Sequence, residues 1–385
     1  MNIKVLFFCS LLFFFMYLCR ADMLVTCESR PNKMPLLNTK HYSTMKRYLF
    51  PADYMADPSV HVFNGKIYIY PSHDWEASNV ENDNGDQYIM KDYHVLSIDG
   101  DPMTGTVTDH GCVLRQEDIP WAGRQLWDCD VQEYEVEVPT NAEEQAAGMG
   151  FSKKIKKYIM YFPLKDRNDV FHWGTAIADN PAGPFIPQPA PVPGSYSIDM
   201  CAFRDDADDE VYVYFGGLWG GQLQRYKDNI HLEEPHLPAG QEDALPSRCV
   251  RLTKDGMNYA EAPRPILVVD EQGNPLKADD PHRFFEASWT FKKDGKYYFS
   301  YSTGDSHLLC YAVGDNPYGP FTYQGVILTP VVGWTTHHAI IEFEGKWYLF
   351  HHDSVPSGGK SWLRSLKVCE IEWVDGKIKT IEGMD

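Results

Sequence analysis

A degenerate repeat, present five times along the chain, constrains the fold more than any other feature of the sequence. Each copy contains a polar residue, a few apolar residues, a turn rich in Gly or Asp, and an alternating strand rich in aromatic residues. The polar residues that lead the copies are Asp57, Asp130, Asp199, Glu286 and His337. Alternating segments joined by such short turns are typical of β-hairpins, so each copy is predicted to be a hairpin.

The spacing of the copies predicts how the hairpins are arranged. Successive leading residues lie 73, 69, 87 and 51 positions apart, which suits four-stranded units with loops of variable length. Units that cannot bury their own apolar faces stack against one another, and radial stacking gives a propeller. We predict an all-β fold, a five-bladed β-propeller with a central axial pocket. The alternative is a β-sandwich, which would not need a polar residue at the head of every unit.

The N-terminal sequence predicts export. Lys4 precedes an apolar run of 14 residues, 5–18, interrupted only by Ser10, and the small residue Ala21 follows shortly after it. A basic residue, an apolar run and a small residue, in that order, are typical of a secretory signal. A membrane anchor is the alternative, but the run is shorter than the roughly 20 residues needed to span a bilayer.

These features divide the chain into three predicted segments, namely a signal peptide at 1–21, a lead-in segment at 22–52 and one propeller domain at 53–385. A lipoprotein signal that extends to residue 26, with Cys27 as the lipid-attachment site, is the alternative for the first segment. The protein is therefore expected to be secreted or periplasmic, and lipid anchoring stays open.

Composition excludes several classes of partner. The chain has 35 Lys and Arg against 54 Asp and Glu, a net charge of −19, whereas nucleic acids and anionic lipids require a basic surface. No nucleic-acid partner is expected, and no protein partner is inferred. Aromatic residues make up 14% of the chain, which suits flat ligands such as sugars. No HExxH, GxSxG or GxGxxG motif is present, and no organic cofactor is expected.

The residues that lead the five copies are expected to converge, because the innermost strand of each propeller blade starts near the central axis. Carboxylates that meet in a confined pocket repel one another, so their pKa values separate. One carboxylate then stays ionised and can act as a base, while another stays protonated and can act as an acid. Glycoside hydrolysis requires such a pair, which predicts an active site in the axial pocket. The alternative is that these acids cap the blade entrances or bind a structural cation.

Four motifs, in order and at blade-like spacing, resemble those of glycoside hydrolase family 43. They are ADPSV at 56–60, SID at 197–199, FEASW at 285–289 and the segment that begins at His337. The resemblance extends over about 53–378, which is nearly all of the expected mature chain. A single Asp-Pro-Ser would carry no weight, but four such motifs in the right order are specific.

The resemblance implies a role for each of three acids. Asp57 matches the general base that activates water, and Glu286 matches the general acid that protonates the leaving oxygen. Asp199 matches the residue that tunes the pKa of the acid and orients it. The family inverts the anomeric centre, so the carboxyl groups of base and acid are expected to lie roughly 6.5–9.5 Å apart.

Four further residues are candidate sugar contacts. Asp74 and Trp75 follow the strand of the first repeat, where a loop would overhang the pocket. Trp127 is a candidate at the second repeat, where the motif WDCD at 127–130 replaces the frequent WAPD of the family. Arg364 matches a family arginine that reaches the sugar in the first subsite. The alternatives are a surface salt bridge for the arginine and core packing for the tryptophans.

His337 is a candidate for a metal site. By the resemblance, it matches a histidine that faces the axial cavity and, in many members, contacts a bound calcium ion mostly through water. Calcium prefers oxygen ligands, so direct ligation by the imidazole is not expected. Calcium or another divalent cation is the one cofactor that the sequence suggests. The alternative is a neutral core histidine that is hydrogen-bonded to a neighbouring blade.

Together these observations predict a secreted, inverting glycoside hydrolase that removes terminal β-1,4-linked xylose from xylo-oligosaccharides and xylan side products. An α-L-arabinofuranosidase or an endo-arabinanase, acting on arabinoxylan or arabinan, is the alternative within the class. The expected partner is therefore a xylo-oligosaccharide or an arabinose-containing oligosaccharide. A non-catalytic carbohydrate-binding propeller would be favoured if one of the three acids were missing, and all three are present.

Overall fold

A computed structural model of the chain describes residues 46–76 and 81–384, which fall in one compact unit. The predicted signal peptide, the alternative lipoprotein signal and most of the lead-in segment lie outside the described residues. In the part of the chain that the structure describes, no helix is long and apolar enough to cross a membrane.

The described residues fold almost entirely into β-strands. In chain order these are β1 (Lys46–Tyr48), β2 (Met55–Phe63), β3 (Lys66–His73), β4 (Asp92–Asp99), β5 (Thr106–Arg115), β6 (Arg124–Leu126), β7 (Asp130–Pro139), β8 (Ser152–Lys165), β9 (Phe171–Ala178), β10 (Ile186–Pro187), β11 (Cys201–Arg204), β12 (Val211–Phe215), β13 (Tyr226–Lys227), β14 (Ile230–His231), β15 (Ser247–Arg251), β16 (Arg264–Ile266), β17 (Val268–Val269), β18 (Phe284–Lys293), β19 (Lys296–Thr303), β20 (Leu309–Gly314), β21 (Phe321–Leu328), β22 (His338–Phe343), β23 (Lys346–Asp353), β24 (Ser365–Ile371), β25 (Trp373–Val374) and β26 (Lys377–Ile378). One short α-helix, α1 (Ala142–Ala146), and three single 3₁₀ turns, Gln116–Asp118, Trp219–Gly221 and Leu223–Arg225, complete the described elements.

Five sheets of four or five strands are the blades of the predicted propeller. Their strand orders are β2-β3-β4-β5, then β6-β8-β9-β10 with β7 also paired to β8, then β11-β12-β15-β16, then β18-β19-β20-β21-β17, and finally β22-β23-β24-β1. Each sheet contains one of the five repeated hairpins, because β2/β3, β7/β8, β11/β12, β18/β19 and β22/β23 are antiparallel pairs. The five-bladed all-β arrangement predicted from the repeat is confirmed. Two small hairpins, β13–β14 and β25–β26, lie outside the five sheets.

The first and last parts of the described chain meet in the fifth sheet. Strand β1 pairs with β24 in antiparallel register, with Lys46 opposite Cys369 and Tyr48 opposite Lys367. Completing the last sheet with a strand from the start of the chain closes the ring of blades and leaves fewer open sheet edges. Because β1 falls in the segment predicted as a lead-in, that segment also contributes to the propeller.

The turns of the hairpins have the conformation that their sequences favour. Asn64 and Gly65 join β2 to β3 with φ values of 52° and 76°, and Asp294 and Gly295 join β18 to β19 with values of 51° and 73°. Positive φ at both central residues is the pattern of a type I′ turn, which matches the right-handed twist of the flanking strands. Local sequence alone therefore specifies where these strands reverse.

The polar segment 140–156 contains regular structure and is not a plain loop. Strands β7 and β8 continue their antiparallel register as far as Pro139 opposite Ser152, beyond the body of the sheet. The residues between them include α1, which Asn141 and Glu144 stabilise by a reciprocal capping box. The second half of the segment alternates between half-buried and exposed side chains, so a twisted ribbon can remain paired there without a core.

Candidate active site

A cavity of about 360 Å³ lies where residues from all five sheets and their loops meet. Six of the residues predicted from the sequence line it, and these are Asp57, Trp127, Asp199, Glu286, His337 and Arg364. The volume falls within the range typical of small-molecule sites. The structure therefore brings together residues that are as far as 307 positions apart in the chain, as the contact between Asp57 and Arg364 shows.

Irregular backbone at the start of the strands directs the acids into this cavity. Asp57 and Asp199 have φ values of 46° and 62°, and Ala287, which follows Glu286, has a value of 60°. The β2–β3 register shifts just after Ala56, and the β18–β19 register shifts on both sides of Glu286. Bulges of this kind re-aim side chains next to active sites, and non-glycine residues at positive φ are uncommon enough to mark functional positions.

Asp57 is held as an anion. Its Oδ1 accepts a hydrogen bond of 2.6 Å from Nη1 of Arg364, and Nδ1 of His337 lies 3.7 Å from the same oxygen. Burial by itself would raise the pKa of this carboxyl, but Arg364 and two neighbouring histidines lower the pKa to about 2. Asp57 is therefore ionised at neutral pH, as a general base must be.

Arg364 is fixed by a second carboxylate behind it. Asp74 accepts hydrogen bonds from the backbone N–H, Nε and Nη2 of Arg364, at 2.8, 2.9 and 2.7 Å. The guanidinium also lies over the ring of Tyr88, 5.3 Å from its centre. Asp74 is fully buried and is not part of the cavity wall. The structure thus corrects its predicted place as a sugar contact, because its oxygens are already used to position the arginine.

Glu286 has the opposite electrostatic environment to Asp57. Burial and the charges of Asp199 and Asp57 raise the pKa of the Glu286 carboxyl well above its usual range, and Arg364 only partly opposes them. The side chain lines the cavity and accepts no charged hydrogen bond in the described part of the chain. This shift favours the protonated form of the carboxyl, which is the form that a general acid requires.

Asp199 is coupled to the backbone next to Glu286. Its Oδ2 accepts a hydrogen bond of 2.6 Å from the N–H of Ala287, so it fixes the positive-φ peptide that aims the glutamate. Burial raises the pKa of Asp199, and the nearby Asp128 interacts with it electrostatically. Its contacts match the predicted role of orienting Glu286 and setting its pKa.

Asp128 is a further buried acid in the cavity that sequence reasoning missed. It is buried and lines the cavity, and its carboxyl group forms a side-chain hydrogen bond with that of Asp199. Burial and the charges of Asp199 and Asp57 raise the pKa of Asp128 well above its usual range. The sequence did contain a signal for this acid. The motif WDCD replaces the family's WAPD and so places one additional acid two residues before Asp130.

Asp130, which leads the second repeat, does not reach the cavity. Its Oδ1 lies 2.5 Å from Nε2 of His61 and 2.7 Å from the backbone N of Val131, and its Oδ2 accepts from the N–H of Ala202 at 2.6 Å. The residue is completely buried and is paired within the β7–β8 ladder. It instead connects the first three sheets by hydrogen bonds. The expectation that Asp130 meets the other leading residues in the axial cavity is therefore wrong.

One of the two predicted tryptophans lines the cavity, together with two tryptophans that were not predicted. Trp127 lines the cavity as predicted, and its Nε1 donates to the carbonyl of Tyr88 at 3.0 Å. Trp75 is not in the cavity wall, since its Nε1 donates to Asp92 at 2.8 Å. Trp219 and Trp334 line the cavity instead and stack with ring centres 6.4 Å apart. Both lie in loops, where no pattern in the sequence distinguished them from other tryptophans.

Buried neutral histidines surround the base. The backbone N–H of Asp57 donates to Nδ1 of His352 at 3.1 Å, so the proton of His352 is on Nε2, which donates to the carbonyl of Thr335 at 3.1 Å. Burial and Arg364 lower the pKa of His352 to about 3. His338 is also buried and lies 2.6 Å from the hydroxyl of Ser300, whereas His337 faces the cavity.

Comparisons with known proteins agree with this site. The family model "Glycosyl hydrolases family 43" matches residues 149–378. A xylosidase/arabinosidase of Bacteroides ovatus is 64% identical over 89% of this chain and 99% of its own length. A β-xylosidase of Xylanibacter ruminicola is 60% identical over 87% of this chain and 99% of its own length.

Solved structures agree as well. The RS223 β-xylosidase has a TM-score of 0.81 at 60% identity, covering 89% of this chain and 100% of its own. A β-xylosidase/α-arabinofuranosidase from a compost microbial metagenome, in complex with xylotriose and in calcium-free form, has a TM-score of 0.79 at 50% identity over 89% of this chain and 98% of its own. From the family match and these identities over nearly whole chains, this protein belongs to glycosyl hydrolase family 43.

Proposed function

We propose that this protein is an exo-acting β-xylosidase that removes terminal β-1,4-linked xylose from xylo-oligosaccharides with inversion of configuration. One observation supports the reaction more than any other, namely that Asp57 and Glu286 line one cavity with pKa values shifted in opposite directions. A base that is ionised and an acid that is protonated at the same pH are what single-displacement glycoside hydrolysis requires.

The reaction follows from these protonation states. The Asp57 carboxylate accepts a proton from a water molecule as the water oxygen bonds to the anomeric carbon. Glu286 gives its proton to the glycosidic oxygen as the bond from that oxygen to the anomeric carbon breaks. Asp57 ends protonated and Glu286 ends ionised, and exchange with solvent restores both. Because water attacks on the face opposite the leaving group, the product has the inverted configuration.

Arg364 and Asp199 keep the two groups in their working states. The guanidinium neutralises the base before the reaction and becomes the partner of a neutral carboxyl after it. Asp199 raises the affinity of Glu286 for its proton in the free enzyme. The aromatic rings of Trp127, Trp219 and Trp334 line the same cavity and supply flat surfaces against which pyranose rings pack.

The choice of xylose as the substrate is supported by the relatives. The names of two close relatives include xylosidase, and two solved family structures contain xylotriose while another contains xylose. Because the Bacteroides ovatus relative is named xylosidase/arabinosidase, we propose α-L-arabinofuranosidase activity in the same cavity as the second candidate function.

We further propose that a calcium ion binds in the cavity. Calcium prefers oxygen ligands, and the adjacent carboxyl groups of Asp128 and Asp199, which both line the cavity, would supply such ligands. His337 lines the same cavity and would reach the ion through water. A cation there would offset the repulsion among the carboxylates when it is bound. A solved relative described as a calcium-free form supports the idea that the metal matters in this family.

The N-terminal sequence supports one further proposal, which concerns location. The basic residue, the apolar run and the small residue in 1–21 are typical of an export signal. We therefore propose that the enzyme acts outside the cytoplasm, where xylo-oligosaccharides released from plant polymers would be available, with lipid attachment at Cys27 as the alternative to free release.

The test is hydrolysis of xylobiose beside an arabinofuranosyl substrate and 1,5-arabinan, with the first-formed anomer followed by proton NMR. We expect xylobiose cleavage to give α-xylose from the non-reducing residue before mutarotation. Release of arabinose alone would move the substrate assignment to the second candidate. The β-anomer as first product would overturn the inverting mechanism, and no release from any substrate would overturn the enzymatic proposal.

A further inference from the structure

A second group of ionisable side chains lies in the first sheet, outside the catalytic cavity. His73 ends β3, and Asp92 and His94 lie near the start of β4, two residues apart and hence on the same face of that strand. All three side chains are buried, and none of them lines the catalytic cavity. The proposed hydrolysis does not use them.

The three side chains present ligand atoms to a common point. One ring nitrogen from each histidine and one oxygen of Asp92 all lie within 4.8 Å of one another. Nδ1 of His73 is 2.8 Å from Oδ1 of Asp92, and Nε2 of His94 is 3.9 Å from Oδ2. Ligand atoms around a tetrahedral zinc ion are about 3.3 Å apart, given bonds of about 2.0 Å, so the two measured spacings, which involve different oxygens of Asp92, lie on either side of the zinc value.

The other nitrogen of each histidine is held by a carboxylate. Nε2 of His73 lies 3.3 Å from Oδ2 of Asp53, and Nδ1 of His94 lies 3.1 Å from both oxygens of Asp109. The Nε1 of Trp75 donates to Asp92 at 2.8 Å. Carboxylates that hold the distal nitrogen of a ligating histidine are the usual outer contacts of zinc sites, because they fix the tautomer and orient the ring.

We propose that His73, Asp92 and His94 form a zinc site that stabilises the first blade. Two imidazoles and one carboxylate are a donor set that suits zinc, and water would take the fourth position. Nδ1 of His73 and Nε2 of His94 would bind the ion, and Asp53 and Asp109 would accept the proton on the remaining nitrogen of each ring.

Without the metal, a proton takes its place. Burial lowers the pKa of His73, but hydrogen bonds with Asp53 and Asp92 more than offset this and raise it to about 10. An imidazolium between two carboxylates keeps the ligand atoms close together. Zinc binding releases the Nδ1 proton of His73 to solvent, so the affinity for zinc increases with pH.

The site is coupled to the catalytic cavity through one peptide bond. His73 directly precedes Asp74, whose carboxylate holds Arg364 by three hydrogen bonds. The backbone N–H of Asp74 also donates to the carbonyl of Tyr54, one residue after Asp53. A metal ion that fixes His73 therefore fixes the end of β3 from which the arginine is positioned.

The experiment measures zinc binding to metal-free full-length protein by equilibrium dialysis, with thermal unfolding and cobalt absorption as further readouts. The background variant is His337→Ala, which weakens metal binding in the catalytic cavity. We expect one zinc per chain in this background, a higher unfolding temperature with zinc, and visible d–d bands when cobalt replaces zinc. His94→Gln should remove stoichiometric binding and the cobalt bands.

Two further variants keep the test decisive. Asp109→Asn retains all three ligands and should weaken zinc binding by about 10–100-fold, because the outer contact to His94 is lost. This variant tests the proposal even if His94→Gln fails to fold. His110→Gln is the matched control on β5, because its imidazole bonds to Ser97 outside the cluster, and it should bind zinc normally. Absence of zinc in the His337→Ala background, or equal binding by His94→Gln, would overturn the proposal. Neither result depends on whether the enzyme cleaves xylosides.

Discussion

The two sides of the catalytic cavity contain the same kind of side chain in opposite states. On one side, Asp57 faces the guanidinium of Arg364 and accepts a hydrogen bond of 2.6 Å from it. On the other side, Asp128, Asp199 and Glu286 lie in the cavity with no cation bonded to them in the described residues. The pKa of Asp57 is lowered, whereas the pKa of each acid on the second side is raised.

The comparison shows how one fold can make both a base and an acid. Burial by itself raises the pKa of Asp57, Asp128, Asp199 and Glu286, because it disfavours the charged form. For Asp57, the buried Arg364, together with two neighbouring histidines, reverses this effect. For Glu286, the charges of Asp199 and Asp57 strengthen it. The difference between the two sides therefore depends on where one cation is placed and not on the type of acid.

The largest expected effect comes from removing the acid itself. Glu286→Gln keeps the shape of the side chain but has no proton to give, so kcat on xylobiose should fall by about 10²–10⁴-fold. An aryl xyloside with a good leaving group should be affected much less, because its oxygen needs less protonation. Xylose binding, measured by calorimetry, serves as the control for an intact cavity. A loss below tenfold on xylobiose would remove Glu286 from the role of acid.

A smaller effect is expected when the cation is removed from the other side. Arg364→Met should raise the pKa of Asp57 from about 2, by roughly 1–3 units if Arg364 is its dominant partner. Asp57 must be ionised to act, so the acidic limb of the kcat/KM profile should move to higher pH. Loss of the charged hydrogen bond should lower kcat/KM at neutral pH by about 10–100-fold.

Two comparisons check the arginine prediction. Arg364→Lys retains the charge and should shift the acidic limb less than Arg364→Met does. Thermal unfolding should also show lower stability in Arg364→Met, because the buried Asp74 loses its partner. An acidic limb that stays in place in the folded Met variant would show that Arg364 does not set the pKa of the base.

The smallest effect is expected at Asp128. Asp128→Asn should weaken calcium binding by about tenfold, since a charged oxygen ligand is replaced by an amide, and activity with calcium should fall several-fold. Because Asp128 must lose its proton to bind the ion, wild-type affinity should increase with pH, and the variant should lose most of this dependence. Calorimetric titration measures both, and an unchanged affinity would place the calcium elsewhere.

Much of the fold could be predicted because its signals are local. The hairpin turns at Asn64-Gly65 and Asp294-Gly295 and the alternating strands around them repeat five times, which is enough to count the blades. The strand was recognised from its apolar part, but the alternation in residues 152–157 is hard to see in the sequence because those residues are mostly polar. A ribbon that protrudes beyond the sheet needs cross-strand pairing but no apolar face, so polarity alone does not distinguish it from a loop.

The site could be predicted less completely because its contacts are not local. The acids at 57, 199 and 286 lie in recognisable motifs and were identified. Asp74 was expected in the cavity and lies behind it, whereas Asp128, for which no role was predicted, lines it. Asp74 follows a strand just as a cavity residue would, and only the presence of Arg364 from the fifth blade shows that its oxygens are engaged. Asp128 lies two residues before Asp130, and which of the two reaches the axis depends on where the β7–β8 ladder begins.

The sequence by itself determined the class of fold, the number of blades and the three acids, because periodicity, turn chemistry and motif spacing are properties of neighbouring residues. The tertiary structure decided which acid is charged, which tryptophans line the cavity and which histidines meet Asp92. Those outcomes depend on electrostatic and packing interactions between residues that are distant in the chain. A pKa is set by burial and by the nearest charges, and neither exists until the blades close around the axis.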